Sequence, residues 1–135
     1  SLAAAPFYAI TIEQPDGARR HFQLEAALDD AARRRGLMGR DVLPSGQGMI
    51  FDFGRDQPIV MWMKDTLLPL DMIFIDGRGV VVDLIPRTTP LSQTLLPSRQ
   101  PARYVIEINA GEASGNQIAP GDRLRLPVNF PAASP

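Results

Sequence analysis

The chain has 135 residues, of which 44% are hydrophobic, and its 14 Lys and Arg against 15 Asp and Glu leave a formal net charge of −1. That length and apolar content suit one core rather than two ordinary domains, and a charge so near zero disfavours binding to nucleic acid or to an anionic bilayer. The absence of Cys and the single His, His21, exclude disulfides, zinc–thiolate and iron–sulfur sites, cysteine nucleophiles and a multi-histidine metal site within one chain.

The chain opens with a predicted β-hairpin. Residues 1–6 are small and without amphipathic pattern, as expected of a loose terminus that remains after a signal segment is removed. Phe7–Ile12 and Arg19–Leu24 each place apolar residues on one face, as half-buried strands do. Pro15-Asp16-Gly17 between them is a turn sequence, so the two segments are predicted to pair.

Proline placement limits where a helix can form. Thirteen prolines interrupt the chain, and the longest proline-free stretch is 16–43. Because Pro breaks helix interiors, only that stretch has room for a substantial helix. Asp29 is its expected N-cap, the segment 31–34 contains good helix formers, and Gly36 or Gly39 is expected to end it or to allow close packing. The short segments elsewhere indicate a β-rich fold.

Alternation predicts the central strands. Ile59–Lys64 is one candidate strand, and Leu70–Ile75 followed by Val80–Ile85 is the strongest hairpin signal, with Asp76-Gly77-Arg78-Gly79 as the turn. The side-chain period of two also predicts which residues form the core. The largely buried residues are predicted to be Met49, Phe51, Phe53, Ile73, Ile75, Val81, Ile106 and Ile108.

The last third of the chain combines a loop with two strands. Thr88–Ala102 holds three prolines and no hydrophobic period, so it is predicted to be a long surface loop. Tyr104–Asn109 reads as a strand, another lies around Leu124 and Leu126, and residues 128–135 are expected to be loose. The sequence therefore predicts one globular domain over 7–127. Its class is α+β and β-rich, a curled sheet or half-barrel with one main helix packed on it.

Five segments of the chain, in order and spacing, resemble the domain of unknown function 192 family. The segments are RRRGLMGR (Arg33–Arg40), LPSGQGMIFDF (Leu43–Phe53), MWMKDTLLPLDMIFID (Met61–Asp76), ARYVIEINAG (Ala102–Gly111) and APGDRL (Ala119–Leu124). The resemblance covers roughly 7–127. Two departures stand out, since Asp65 replaces the usual Asn after Trp-Met-Lys and Gly39 replaces an aromatic residue that is common after Gly-Leu-Met. The family is prokaryotic and without established activity, and the resemblance implies export behind a signal peptide.

Lys64 is the most unusual charged residue of the chain. It is the only lysine among fourteen basic residues, which suggests a position where a compact ammonium is needed and a planar guanidinium will not do. We expect its ammonium to be held by Asp65, Asp71 or Glu107 in a partly buried cluster near Trp62. A structural ion pair and a functional group remain alternative readings of this cluster.

Two further acidic residues lie inside apolar strands. Asp71 interrupts Leu70–Ile75, where an inward-facing carboxylate is costly unless it is hydrogen-bonded or paired. Glu107 lies between two isoleucines and shares a strand face with Asn109. One hypothesis is that Glu107 lies close to Asp71 or Asp65 and forms with it an acid/base pair of the glycosidase type. The other is a satisfied network that links Glu107 to Arg40 or Lys64.

The remaining candidate ligands favour structural readings. All five methionines fall within 38–72; thioethers select copper(I), but core-facing spacing favours filling an irregular core. His21 reads as an ordinary strand residue. Trp62 is either the floor of a site for a planar ligand or a core anchor. No phosphate loop or nucleophile elbow occurs, and no metal or cofactor is predicted.

These observations favour a non-catalytic binding or accessory domain that is exported to the periplasm or cell envelope. Its partner is expected to be a small molecule or an envelope component, with no nucleic acid and no membrane span, because no apolar run reaches the roughly 20 residues that a spanning helix needs. The alternative is a small hydrolase or lyase that uses Lys64, Asp65, Asp71 and Glu107. The predicted cleft is formed by Arg40, Trp62, Lys64, Asp65, Thr66, Asp71, Glu107 and Asn109.

Overall fold

Residues 5–135, which the computed structural model describes, form nine strands and two short helices. In chain order the elements are β1 (Tyr8–Glu13), β2 (Arg19–Ala27), α1 (Asp30–Arg35), β3 (Gln47–Gln57), β4 (Val60–Met61), β5 (Leu70–Ile75), β6 (Val81–Ile85), β7 (Leu96–Pro97), β8 (Ala102–Asn109), α2 (Glu112–Gly115) and β9 (Arg123–Arg125). Neither helix in this part of the chain is long and apolar enough to cross a membrane.

Seven strands form one curled sheet in the order β6-β5-β8-β3-β2-β1-β9. The pair β2 and β3 is parallel and every other neighbouring pair is antiparallel. The two outer strands meet where Val80 bridges Arg123 and the Leu124 N–H donates to the Gly79 carbonyl at 2.7 Å. Val81 also exchanges backbone hydrogen bonds with Gly121 and Asp122, so the sheet is a half-barrel whose two edges are joined over a short stretch.

Both faces of the central strands are buried, which is why β5 is apolar at every position except Asp71. Ile50, Ile73 and Ile106 lie on the enclosed face, with Val81 and Leu124 from the two edges of the sheet. The next residue along each strand points the other way, so that Phe51, Phe74 and Val105 form a second cluster on the outer face. Of the eight predicted core residues, seven are buried and Phe53 is half-buried.

The β-rich architecture is confirmed, but the main helix is not. Asp29 caps α1 as predicted, accepting a hydrogen bond from the Ala32 N–H at 2.8 Å. The helix ends after six residues, at Gly36, and buries none of its own residues. Its sequence, DAARRR, carries no apolar stripe that could pack on a sheet. A second helix, α2, has four residues.

Other elements differ from the sequence prediction in extent. The hairpins β1–β2 and β5–β6 form as predicted. The candidate strand Ile59–Lys64 is reduced to β4, which pairs with β7 inside the segment predicted to be a long loop. At the other end of the chain, Phe130 packs edge-to-face against Tyr8 with ring centroids 5.3 Å apart, and the Ser134 N–H donates to the Leu28 carbonyl at 2.8 Å. The tail that was expected to be loose thus lies against the body of the fold. Residues 1–4 lie outside the described part of the chain.

Candidate functional site

A cavity of about 500 Å³ opens on the outer face of the sheet, between α1, β3 and the segment around β4. Its apolar wall consists of Leu37, Met38, Phe51, Phe53, Val60, Met61 and Trp62. Trp62, the only tryptophan of the chain, is 39% exposed. A volume of this size suits a small organic molecule.

Glu107 is the buried acidic group of this cavity. It lies on β8, between Met49 of β3 and Met72 of β5 in the strand register, and is 4% exposed. Within residues 5–135 its carboxyl group makes no hydrogen bond or ion pair to another side chain or to the backbone. Burial raises the pKa of Glu107 to about 8, so the group is a neutral carboxylic acid at neutral pH. It can donate one hydrogen bond and accept others.

Gly36 lies over the carboxyl group of Glu107, and because it has no side chain it does not fill the cavity. Its φ is +48°, in the left-handed region that favours glycine, and it follows directly after α1. A Cβ at this position would lie 3.1 Å from the Phe51 ring and 4.0 Å from the Glu107 Oε1. A side chain here would be strained and would press on the aromatic wall.

The rim of the cavity is basic. Arg33, Arg34, Arg35 and Arg55 lie there with one acidic residue, Asp30. Arg33 is occupied, since it donates to the Asp30 carboxylate at 3.0 Å and to the Asp52 carbonyl at 2.9 Å. The guanidinium groups of the other three are exposed and have no hydrogen-bond or carboxylate partner in the described part of the chain. The rim thus carries uncompensated positive charge.

Of the eight residues predicted for the cleft, three line this cavity: Trp62, Thr66 and Glu107. Three others hold the fold together. Arg40 forms an ion pair with Glu25, with Nη2 to Oε1 at 2.9 Å. The Asn109 side-chain amide donates to the Leu43 carbonyl at 2.7 Å. Asp71 accepts backbone N–H bonds from Arg87, Gly111 and Ala113 at 2.9–3.0 Å.

The last two predicted residues, Lys64 and Asp65, lie in the turn after Trp62. Asp65 is exposed with φ at +54°, and its carbonyl accepts from the Gly39 N–H at 2.8 Å. The Lys64 Nζ lies 5.2 Å from the centroid of the Trp62 ring. No carboxylate of residues 5–135 is within salt-bridge distance of that nitrogen. The predicted ammonium–carboxylate cluster is therefore wrong, and a cation–π contact takes its place.

The alternative hypothesis, an acid/base pair of Glu107 with Asp71, is also wrong. In the register of β5 and β8, Asp71 is opposite Ile108 and Glu107 is opposite Met72. Ile108 belongs to the enclosed cluster and Met72 to the outer one. The two carboxyl groups thus point to opposite faces of the sheet. Nor does Glu107 join a network with Arg40 or Lys64.

Sequence reasoning missed the basic rim and the glycine above Glu107. The signal available was the run Arg33-Arg34-Arg35-Gly36 at the end of a capped helix.

The prediction that methionines fill the core is confirmed for Met49, Met63 and Met72, which are buried in the outer cluster. Among the described residues, no group of three or more His, Asp or Glu is arranged to hold a metal ion.

The sequence match to a known family spans residues 11–126, and the family is DUF192, described as uncharacterized. The chain belongs to the DUF192 family. Two solved structures resemble this DUF192 domain over nearly its whole length. A proposed transcription regulator from Sinorhizobium meliloti 1021 is 36% identical, with a TM-score of 0.89 over 93% of this chain and 98% of that one. A protein of unknown function from Novosphingobium aromaticivorans DSM 12444 is 33% identical, with a TM-score of 0.84 over 91% of this chain and 94% of that one. Comparison with curated proteins finds no match to the DUF192 chain.

Proposed function

We propose that this DUF192 domain binds a small organic molecule in the cavity above Glu107. The observation that carries the proposal is the carboxyl group of Glu107, buried, without a protein partner, and open to a cavity of about 500 Å³. Within residues 5–135 no buried side-chain oxygen or nitrogen is both sealed off and unpartnered, so the Glu107 carboxyl group reaches the cavity space. A ligand that accepts a hydrogen bond from Glu107 would supply the partner that the protein does not.

Glu107 is the exception among the buried acids of the described chain. Asp52 accepts from the Arg103 guanidinium at 3.0 Å, and Asp83 accepts from the Arg99 backbone N–H at 2.9 Å. Glu25, Asp71, Asp76 and Asp122 likewise have protein partners. Six of the seven buried acids thus have protein partners, and Glu107 faces a cavity instead. This difference supports a role for Glu107 other than packing the fold.

A hydrolase or lyase is the second candidate, and the raised pKa of Glu107 favours it. A carboxylic acid that is neutral near pH 7 is suited to donate a proton to a leaving group. Acid/base hydrolysis of the glycosidase type also needs a second carboxylate. The only other acidic side chain of residues 5–135 that lines the cavity is that of Asp30, which is bound to Arg33. Binding without catalysis therefore has the stronger support.

Export to the periplasm or cell envelope is part of the proposal. It is supported by the absence of Cys and by the leader that the family resemblance implies. Fractionation of cells that express the full-length gene, with immunoblotting of each fraction, tests it. Retention of the whole pool in the cytoplasm would reject export and leave the cavity unaffected.

The description of the Sinorhizobium meliloti protein as a proposed transcription regulator is not extended to this chain. The net charge of −1 provides no general attraction to DNA. The longest helix within residues 5–135 has six residues and borders the cavity. We therefore propose a small-molecule partner rather than nucleic acid.

The test uses N-phenylnaphthylamine, a neutral aromatic probe whose fluorescence can be excited by energy transfer from Trp62. Val60 lines the cavity and is 54% exposed, whereas Leu91 is 56% exposed and lies elsewhere. Val60→Asp places a charge on the cavity wall, and Leu91→Asp places the same charge outside it. We expect saturable binding that weakens at least about tenfold in V60D and is unchanged in L91D. Absence of binding, or equal loss in both variants, would overturn the proposal.

A further inference from the structure

The polar groups that line the cavity differ in exposure and charge. Arg34, Arg35 and Arg55 are exposed and unpartnered in the described chain, and Glu107 lies buried beneath Gly36. The lining also includes the aromatic side chains of Phe53 and Trp62. We propose that the ligand is an amphipathic organic acid whose anionic group lies at the arginine rim and whose opposite end presents a hydrogen-bond acceptor to Glu107. This inference rests on the proposed function.

The rim favours an anion because its positive charge is not compensated by the protein. In the described part of the chain Asp30 provides the single acidic side chain there, and Arg33 already forms an ion pair with it at 3.0 Å. Guanidinium groups hold carboxylates with paired hydrogen bonds, which adds geometric selectivity to the attraction. At the exposed rim this attraction is screened by salt, so binding of the acid weakens as ionic strength rises.

The buried end selects against a second anion. Glu107 presents a neutral hydroxyl to the cavity while it is protonated, so a carbonyl, ether or hydroxyl oxygen of the ligand can accept from it. The strand neighbours of Glu107, Met49 and Met72, carry no charge. A ligand with acidic groups at both ends would leave one of them buried without a cation. The ligand is therefore oriented with its charge outward.

Ionisation of Glu107 gives the site a pH dependence. The charged side chains of residues 5–135 that line the cavity with it are those of Asp30, Arg33, Arg34, Arg35 and Arg55. Once Glu107 ionises, it no longer donates a hydrogen bond and it repels the ligand's acid. Affinity for an anionic ligand is expected to fall as pH rises through the pKa of Glu107.

A matched pair of probes isolates the contribution of the anionic group. Anilinonaphthalenesulfonate has the aromatic skeleton of N-phenylnaphthylamine with a sulfonate added, so the difference between their affinities measures recognition of the anion. We expect the sulfonate to bind at least about tenfold more tightly at low salt. Arg55→Gln should remove several-fold of that preference. Arg123→Gln, which removes an exposed arginine of β9 that does not line the cavity, is the control.

The pH dependence supplies a second, independent readout. Affinity of the wild-type protein for the sulfonate should fall several-fold between about pH 6 and pH 9, whereas Glu107→Gln should show no such fall. If the neutral probe binds in the cavity but the sulfonate binds no more tightly, or R55Q has no effect, the inference is wrong and the proposed function stands. If neither probe responds to V60D, both the inference and the proposed function fail.

Discussion

Replacing Glu107 with Gln should change how the stability of this protein depends on pH. The carboxyl group has an ordinary pKa of 4.5 when the chain is unfolded and a pKa of about 8 when it is folded. Between these values the folded state keeps a proton that the unfolded state has released. The free energy of unfolding therefore falls as pH rises through this interval, and the loss is complete above about pH 8.

The size of the effect follows from the same two values. The interval from 4.5 to about 8, at about 1.4 kcal/mol for each pH unit, corresponds to a loss of about 5 kcal/mol. Small domains have a total stability of about 5–15 kcal/mol. Ionisation of this one group is thus a large part of what the fold can lose.

Gln has nearly the same shape as Glu and does not titrate in this range. Urea unfolding, followed by circular dichroism at about pH 5, 7 and 9, should show that E107Q gains on the wild type by several kcal/mol as pH rises. Subtracting the two proteins removes the contribution of every other titrating group. Glu13→Gln, at a more exposed glutamate paired with Arg19 and Arg125, is the control and should retain the wild-type slope. Parallel stability curves for E107Q and wild type would refute the assignment of a raised pKa to Glu107.

Three further substitutions test the packing around the site, each by the urea midpoint of unfolding. Phe51→Ala should destabilise the fold by about 3–5 kcal/mol, since the ring is buried in the outer cluster; an unchanged midpoint would contradict that packing. Asp71→Asn should cost about 1–3 kcal/mol, because both carboxylate oxygens accept backbone N–H groups and an amide retains one oxygen. A neutral outcome would mean that these bonds contribute nothing. Lys64→Met should cost no more than about 1 kcal/mol, the value of an exposed cation–π contact with Trp62. A larger loss would indicate that a carboxylate holds the Lys64 ammonium.

Local patterns in the sequence determined most of the strands. The hairpin of β5 and β6 is predicted by two apolar runs around Asp76-Gly77-Arg78-Gly79, because turn chemistry and a side-chain period of two act over a few residues. The N-cap at Asp29 is predicted for the same reason. The length of the helix is not, since good helix formers in 31–34 do not reveal whether the helix has an apolar face to bury.

Burial of Asp71 and Glu107 also follows from the sequence alone, because each interrupts an apolar strand. Whether each carboxyl group has a hydrogen-bond partner depends on tertiary structure. Asp71 receives N–H groups from residues 16, 40 and 42 positions away along the chain, and no local pattern encodes such partners. Glu107 faces the opposite side of the sheet, where Gly36 and the end of α1 leave space instead of a donor. Which face of a half-barrel is filled and which remains open depends on how distant segments meet across it, and only the folded chain brings those segments together.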